Sequence, residues 1–399
     1  TVDTPPETPE GPGVETEQPT TEPEETTEPE ETEEPEDTED VIIPENHIEA
    51  LRNFNDKTFQ ALISGEDNEN YSGLSLYLAL SMVAEGAEEE TLQELLDLLQ
   101  LEDKDALRAF NQGILSNAVK DEEEAKLFWA NSIWTREGFP IKEEYLKNLE
   151  DIYKAQGFER PFDEATSKEI SQWIADNTQD LINAEIPMSD ELVAVLINTL
   201  YFNGVWISEF PEEATAPDTF YGVKGEIEKD FMHLSKQLSM KDEEDFVAVS
   251  LPFSDGTVMH FVMPKEGTIK DFLETHPVSS FSDIDWEYRR VNLSLPKFEY
   301  ENDYDLSTLL QELGLKSLFS PEDSKLSGIS DDIFVSQVRQ LSKITLEEKG
   351  VEAAAATIIA METTSIDTDE PIDVTFDKPF ITVIETMDQL PLFTGAVVE

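Results

Sequence analysis

Leu346-Glu347-Glu348-Lys349-Gly350-Val351-Glu352-Ala353-Ala354-Ala355-Ala356-Thr357-Ile358-Ile359-Ala360 is the stretch on which the reading of this chain turns. Local propensity alone makes Glu352–Ala356 helical, because alanine is the best helix former. The surroundings argue for a strand: a glycine hinge, small residues, β-branched ones, then a polar stretch rich in Thr, Ser and Asp. As a strand, Val351, Ala353, Ala355, Thr357, Ile359 and Met361 share one face. The other face carries Glu352, Ala354, Ala356, Ile358, Ala360 and Glu362. Both charges fall on one side, so the segment can enter a half-buried sheet without burying a charge. Its small leading residues ease passage between strands already in place.

Outward from this stretch, the chain reads as one mixed domain. Helical spacing covers His47–Leu62, Ser75–Ala87 and Glu88–Leu101, the last with Leu92, Leu95, Leu96 and Leu99 on its apolar side. The apolar run Val193–Trp206 is long enough for a buried strand, and Phe246–Phe253, Val258–Met263, Val291–Phe298 and Ile381–Glu385 read as further strands. Helices lead and strands follow, which favours an α+β class over alternating βαβ units. The expected domains are a tail over residues 1–45 and one globular unit over 46–399.

The tail differs in kind. Residues 1–40 hold 17 acidic residues and no basic or aromatic one, with a six-residue repeat beginning at Thr21-Glu22-Pro23-Glu24-Glu25-Thr26. Such a segment has too little apolar surface to offset its ordering entropy and is expected to be disordered. It reads either as a spacer holding the domain off a cell surface or as a solubilising tail. The whole chain has 89 acidic against 27 basic residues, a formal charge of -62. That charge repels phosphate backbones and anionic lipid, so nucleic-acid partners and electrostatic membrane docking are not expected. There is no cysteine, which removes disulfides, thiolate nucleophiles and Cys-based metal sites. No apolar run reaches bilayer-spanning length, and the first residues lack a signal-peptide pattern.

A search for catalytic chemistry returns little. His47, His233, His260 and His276 show neither HExxH nor i, i+4 spacing, so no metal is expected. His260 lies in an apolar strand and reads as a satisfied core or surface histidine. Nucleophile-elbow, P-loop and dinucleotide motifs are missing, and no cofactor is expected. The helix-forming stretch 102–118 has only Lys104 and Arg108 as bases, too few for a heparin-type face.

Glu-Glu-Lys-Gly followed by Glu352 and four alanines resembles the hinge of inhibitory serpins. Other motifs of that family occur in order over nearly all of residues 46–399. Asn198-Thr199-Leu200-Tyr201-Phe202-Asn203-Gly204-Val205-Trp206 is similar to its central-sheet strand and tryptophan, and Ser72 and Ser75 to the serines opening its second helix. Pro296-Lys297-Phe298, Tyr304-Asp305-Leu306, Leu313-Gly314, Phe319-Ser320 and Leu326-Ser327-Gly328 follow. Phe376-Asp377-Lys378-Pro379-Phe380 and Pro391-Leu392-Phe393-Thr394-Gly395 resemble its closing strands.

The resemblance implies a serpin fold, with three sheets, about nine helices and an exposed reactive loop, and an inhibitor rather than an enzyme. A serine protease would cleave the loop and form an acyl-enzyme. The freed segment would then insert into the central sheet. The resemblance assigns the hinge to Glu348, Gly350, Val351, Glu352, Ala353, Ala354, Ala355, Ala356 and Thr357. It assigns the shutter and breach of the opening sheet to Ser72, Ser75, Asn198, Gln340 and Trp206. Gln340 stands where the family has histidine, Val351 where threonine or serine is common, and Asn203 where lysine is frequent. Family spacing puts the reactive bond at Thr364-Ser365, with Thr363, Ile366 and Thr368 also open because the loop is about four residues longer than usual. No Lys or Arg lies between Lys349 and Lys378. The expected partners are therefore elastase-like or subtilisin-like proteases with small or β-branched primary specificity, not trypsin-like ones. The protein is expected to be a monomer, extracellular, and secreted or tethered through its tail. The alternative is a non-inhibitory serpin-fold binding or carrier protein.

Overall fold

The computed structural model describes residues 43–118, 126–189, 191–351 and 370–399. Apolar residues recurring every three or four positions make the first part of this body helical. Helix α1 (Glu45–Leu62) buries Ala50, Leu51, Phe54 and Phe59 along one stripe. Helix α2 (Gly73–Gly86) is buried on every side. Ser72 caps it, its hydroxyl accepting from the Ser75 N–H at 3.1 Å. The remaining α-helices among the described residues are α3 (Glu89–Leu99), α4 (Lys104–Ala118), α5 (Glu143–Tyr153), α6 (Glu164–Asn177), α7 (Ile269–Thr275) and α8 (Ser307–Glu312).

The central sheet has the order β10 (Phe298–Asp305), β11 (Gln337–Glu347), β12 (Gly350–Val351), β4 (Ala194–Val205), β2 (Lys126–Arg136) and β3 (Gln156–Arg160). A second sheet runs β1 (Glu69–Tyr71), β15 (Pro391–Val397), β14 (Phe380–Glu385), β8 (Val258–Pro264), β7 (Phe246–Pro252), β6 (Gly225–Asp242), β9 (Glu287–Pro296) and β13 (Ile372–Thr375), with β5 (Ala216–Gly222) paired to β6. Two of the three expected sheets are thus joined by hydrogen bonds. The 18-residue β6 is the reason: it pairs in turn with β5, β9 and β7. The expected strand Val291–Phe298 is divided, since β9 ends at Pro296 and β10 starts at Phe298 in the other sheet.

Alternation along β4 builds a core on each face of the central sheet. Leu196, Leu200 and Phe202 point into the main core with Leu76 and Leu80 of α2. Val195 and Ile197 point the other way, into a smaller cluster with Trp134, Ile170 and Ile174 that α6 covers. On β11, Ile344 and Leu346 belong to the main core and Leu341 to the smaller one.

Candidate functional site

Strands β11 and β4 run parallel and are paired directly from Gln337 opposite Val195 to Lys343 opposite Tyr201. Beyond that level another strand lies between them. The chain turns at Glu348-Lys349 and comes back as β12, antiparallel to both neighbours, with Val351 opposite Leu346 on one side and Gly204 on the other. Two parallel strands can accept an antiparallel strand in this way because it offers hydrogen-bonding groups on both edges. Val351 is fully buried, at 0% exposure. Gly350 is the only residue type the position admits: its φ is +151°, and a Cβ there would sit 1.9 Å from the carbonyl oxygen of Gly204.

The turn is tied down. The Trp206 N–H donates to the Lys349 carbonyl and the Phe210 N–H to the Glu348 carbonyl, both at 2.9 Å. The Trp206 indole Nε1 donates to the Glu347 carbonyl at 3.3 Å, and its ring stacks on Phe253 at 4.1 Å. The Glu348 carboxylate accepts from Thr215 Oγ1 at 2.8 Å and from Lys297 Nζ at 2.9 Å. Burial alone would raise the pKa of Glu348, but the bonds from Lys297 and Thr215 outweigh it and hold the carboxyl below its ordinary value.

At the middle of the direct β11–β4 pairing lies a buried polar seam. Gln340 and Asn198 are register partners, and Gln340 Nε2 donates to Asn198 Oδ1 at 3.0 Å. The Gln340 amide also clasps the backbone of Ser72: its Nε2 donates to the carbonyl at 2.9 Å and its Oε1 accepts from the N–H at 3.0 Å. Asn198 Nδ2 donates to Ser75 O at 2.8 Å, to Ser75 Oγ at 2.5 Å and to Asn131 Oδ1 at 2.5 Å. Each strand is thereby fastened to the start of α2, and within the seam one side-chain bond, from Gln340 to Asn198, is added to their backbone pairing.

Ser72, Ser75, Asn198 and Gln340 come together in this seam. Trp206 stands apart, at the hinge. Glu348, Gly350 and Val351 lie where β11 turns into β12. Glu352, Ala353, Ala354, Ala355, Ala356 and Thr357 of the expected hinge, and Thr364 and Ser365 of the expected reactive bond, lie outside the described residues. Sequence reading missed Asn131, Thr215, Lys297 and Phe210. Lys297 was visible inside Pro296-Lys297-Phe298, but nothing local pairs it with a carboxylate 51 residues away.

Elsewhere, His260 Nε2 lies 2.9 Å from Glu385 Oε1 in the core, and its ring stacks on Trp286. The two bases of α4 are engaged with Glu85: Lys104 donates to its carbonyl and Arg108 to its carboxylate. Among the described residues, no group of three or more His, Asp or Glu is placed to hold a metal, and no helix is long and apolar enough to cross a membrane.

The geometry is that of a sheet with a slot already started at one end. The chain as a whole is similar to several known proteins. A family model described as "Serpin (serine protease inhibitor)" matches residues 49–399. A serine protease inhibitor of Cyanea capillata is 31% identical over 365 residues, covering 85% of this chain and 94% of that protein. An uncharacterized serpin-like protein of Methanosarcina acetivorans is 30% identical over 337 residues, 80% of this chain and 79% of that one. The crystal structure of a thermophilic serpin, tengpin, in its native state superposes with a TM-score of 0.83 at 28% identity, covering 90% of this chain and 96% of the other.

Proposed function

Because the chain belongs to the serpin family, whose members in general inhibit serine proteases rather than act as enzymes, we propose that it traps a serine protease by loop insertion. The protease serine attacks the carbonyl of Thr364, the peptide bond to Ser365 breaks, and the Ser365 amine leaves while Thr364 stays esterified to the enzyme. The freed segment then extends β12 between β11 and β4. From Val351 to Thr364 an extended strand spans about 43 Å at about 3.3 Å per residue, which carries the esterified protease along the sheet and deforms it. About a dozen inserted residues, each worth roughly 0.5–1.5 kcal/mol in hydrogen bonding, supply on the order of 10 kcal/mol.

One observation carries this reading: β12 is seated between β11 and β4 with Val351 inward, and next to it those two strands are still joined directly. The alternation that puts Glu352 and Glu362 on the opposite face from Val351 supports continuation of that strand. The lack of Lys and Arg between Lys349 and Lys378 favours elastase-like or subtilisin-like targets. The acidic repeat of the tail suits an extracellular protein held off a surface.

Incubation with an elastase tests the proposal. The expected product is a complex that survives boiling in SDS, with a fragment starting at Ser365 released on dissociation. Complete hydrolysis of the loop with no such complex overturns it.

A further inference from the structure

Asn203-Gly204 is the one Asn-Gly pair in the chain, and nothing in protease trapping calls on its chemistry. In such a pair the glycine backbone nitrogen can attack the asparagine side-chain carbonyl carbon, because no glycine side chain shields it. A five-membered succinimide forms and ammonia leaves. Water then opens the ring. Opening at one carbonyl gives aspartate; opening at the other gives isoaspartate, whose main chain runs through the side-chain carbon and is longer by a methylene.

Packing fixes the glycine. A Cβ at Gly204 would sit 2.6 Å from the Phe202 ring and 2.8 Å from that of Phe253. The asparagine meets no such demand: it is half-buried, and its Nδ2 donates to the Tyr201 hydroxyl at 3.1 Å. The pair stands at a joint in the sheet. Strand β2 pairs with β4 as far as Asn203, which is opposite Lys126. Beyond it, among the described residues, Gly204 and Val205 are paired into the sheet by β12 alone, opposite Val351 and Gly350. Ring closure needs the 203–204 peptide to rotate out of the extended form, with ψ about +135°, that pairing imposes. Two residues of β12 therefore hold the reactive pair straight.

We propose that Asn203 is a site of spontaneous deamidation held in check by β12, a clock that runs only while the hinge is unseated. When β12 frays, the ring can close, with water as the only other reactant. Isoaspartate at 203 then moves Gly204 and Val205 out of step with Val351 and Gly350, and draws the Trp206 N–H away from the Lys349 carbonyl. The strand has no seat to return to, and the change locks itself in.

Wild type, Lys297→Met, Gly350→Ala and Asn203→Gln are aged in mildly alkaline buffer, native and in urea. Peptide mass mapping follows conversion at Asn203, and an isoaspartyl methyltransferase counts the isoaspartate. In urea the three chains that keep Asn203 are expected to convert alike and fast. In native buffer Gly350→Ala, where a Cβ meets the Gly204 carbonyl, should convert about tenfold or more faster than wild type. Lys297→Met, whose turn has lost the bond to Glu348, should fall between them. Aged wild type should melt lower as its isoaspartate rises, while Asn203→Gln, whose larger ring closes far more slowly, should hold its melting temperature. Native wild type converting as fast as in urea, equal native rates in wild type and Lys297→Met, or isoaspartate that leaves melting unchanged each overturns the proposal. The Lys297→Met comparison decides even where Gly350→Ala does not fold.

Discussion

At Gly350, backbone geometry and space make the same demand. Any side chain meets the Gly204 carbonyl, and the positive φ is one L residues rarely adopt. Gly350→Ala should expel β12 and expose Val351, with a loss on the order of 1.5–3 kcal/mol from that side chain's burial. A lower melting temperature of the uncleaved chain reads this out, and an unchanged one contradicts it. Next to it, Glu348 and Lys297 make the turn pH-dependent with a defined sign. Glu348 is held below its ordinary value of 4.5, so its contribution is present above that pH and fades as pH falls through the lower folded value. Lys297 loses some charge stability by burial, but its bonds to Glu348 and Glu347 raise it above 10.5. Its contribution is therefore present below that pH and lost as pH rises through the folded value. The turn should be firm from about pH 5 to 10. Exchange of the Trp206 and Phe210 amides, corrected for intrinsic rate, should speed up outside that window. In Lys297→Met the acid limb should begin at higher pH.

The strands set what the loop tolerates. On the insertion reading, a strand continuing in the register of Val351 with Leu346 and Gly204 would bring Ala355 between Ser342 and Leu200. Ala355→Glu then requires a buried, unpaired carboxylate, costing several kcal/mol. This variant should be cleaved at the wild-type rate yet form little SDS-stable complex, turning the trap into a substrate; undiminished complex would contradict the register. Much of this was legible beforehand. Of the uncharged face that the period of two assigns to Val351–Met361, Val351 alone lies among the described residues, and it is buried beside Leu346. The apolar run Val193–Trp206 gave β4, which lies within one residue of that span at each end. The bonds of the seam were not legible. Gln340, Asn198 and Asn131 lie in three strands far apart in sequence, and a lone asparagine in β2 has no pattern that marks it as a partner of Asn198. The joining of the expected second and third sheets also went unseen, because strand pairing along β6 depends on partners more than on its own composition.

For the molecule as a whole, charge and parity matter most. Subtracting the 17 acids of residues 1–40 from 89 leaves 72 against 27 basic residues, or -45 on the remainder. Deleting residues 1–40 should leave the yield of trapped protease unchanged; its loss would make the tail part of the inhibitory machinery. Association should be faster with basic proteases than with acidic ones of the same specificity, the difference shrinking as salt screens the charge. On the insertion reading proposed above, the two residues of β12 have a further effect on the whole reaction. A strand that enters one residue out of step presents its opposite face, and here that error would press Glu352 and Glu362 into the core. With Val351 docked before any bond is cut, the phase of the zipper is chosen in advance. On the proposed mechanism the severed loop would have no search to make, only teeth to close, and its contest with hydrolysis of the ester would be a matter of closing speed.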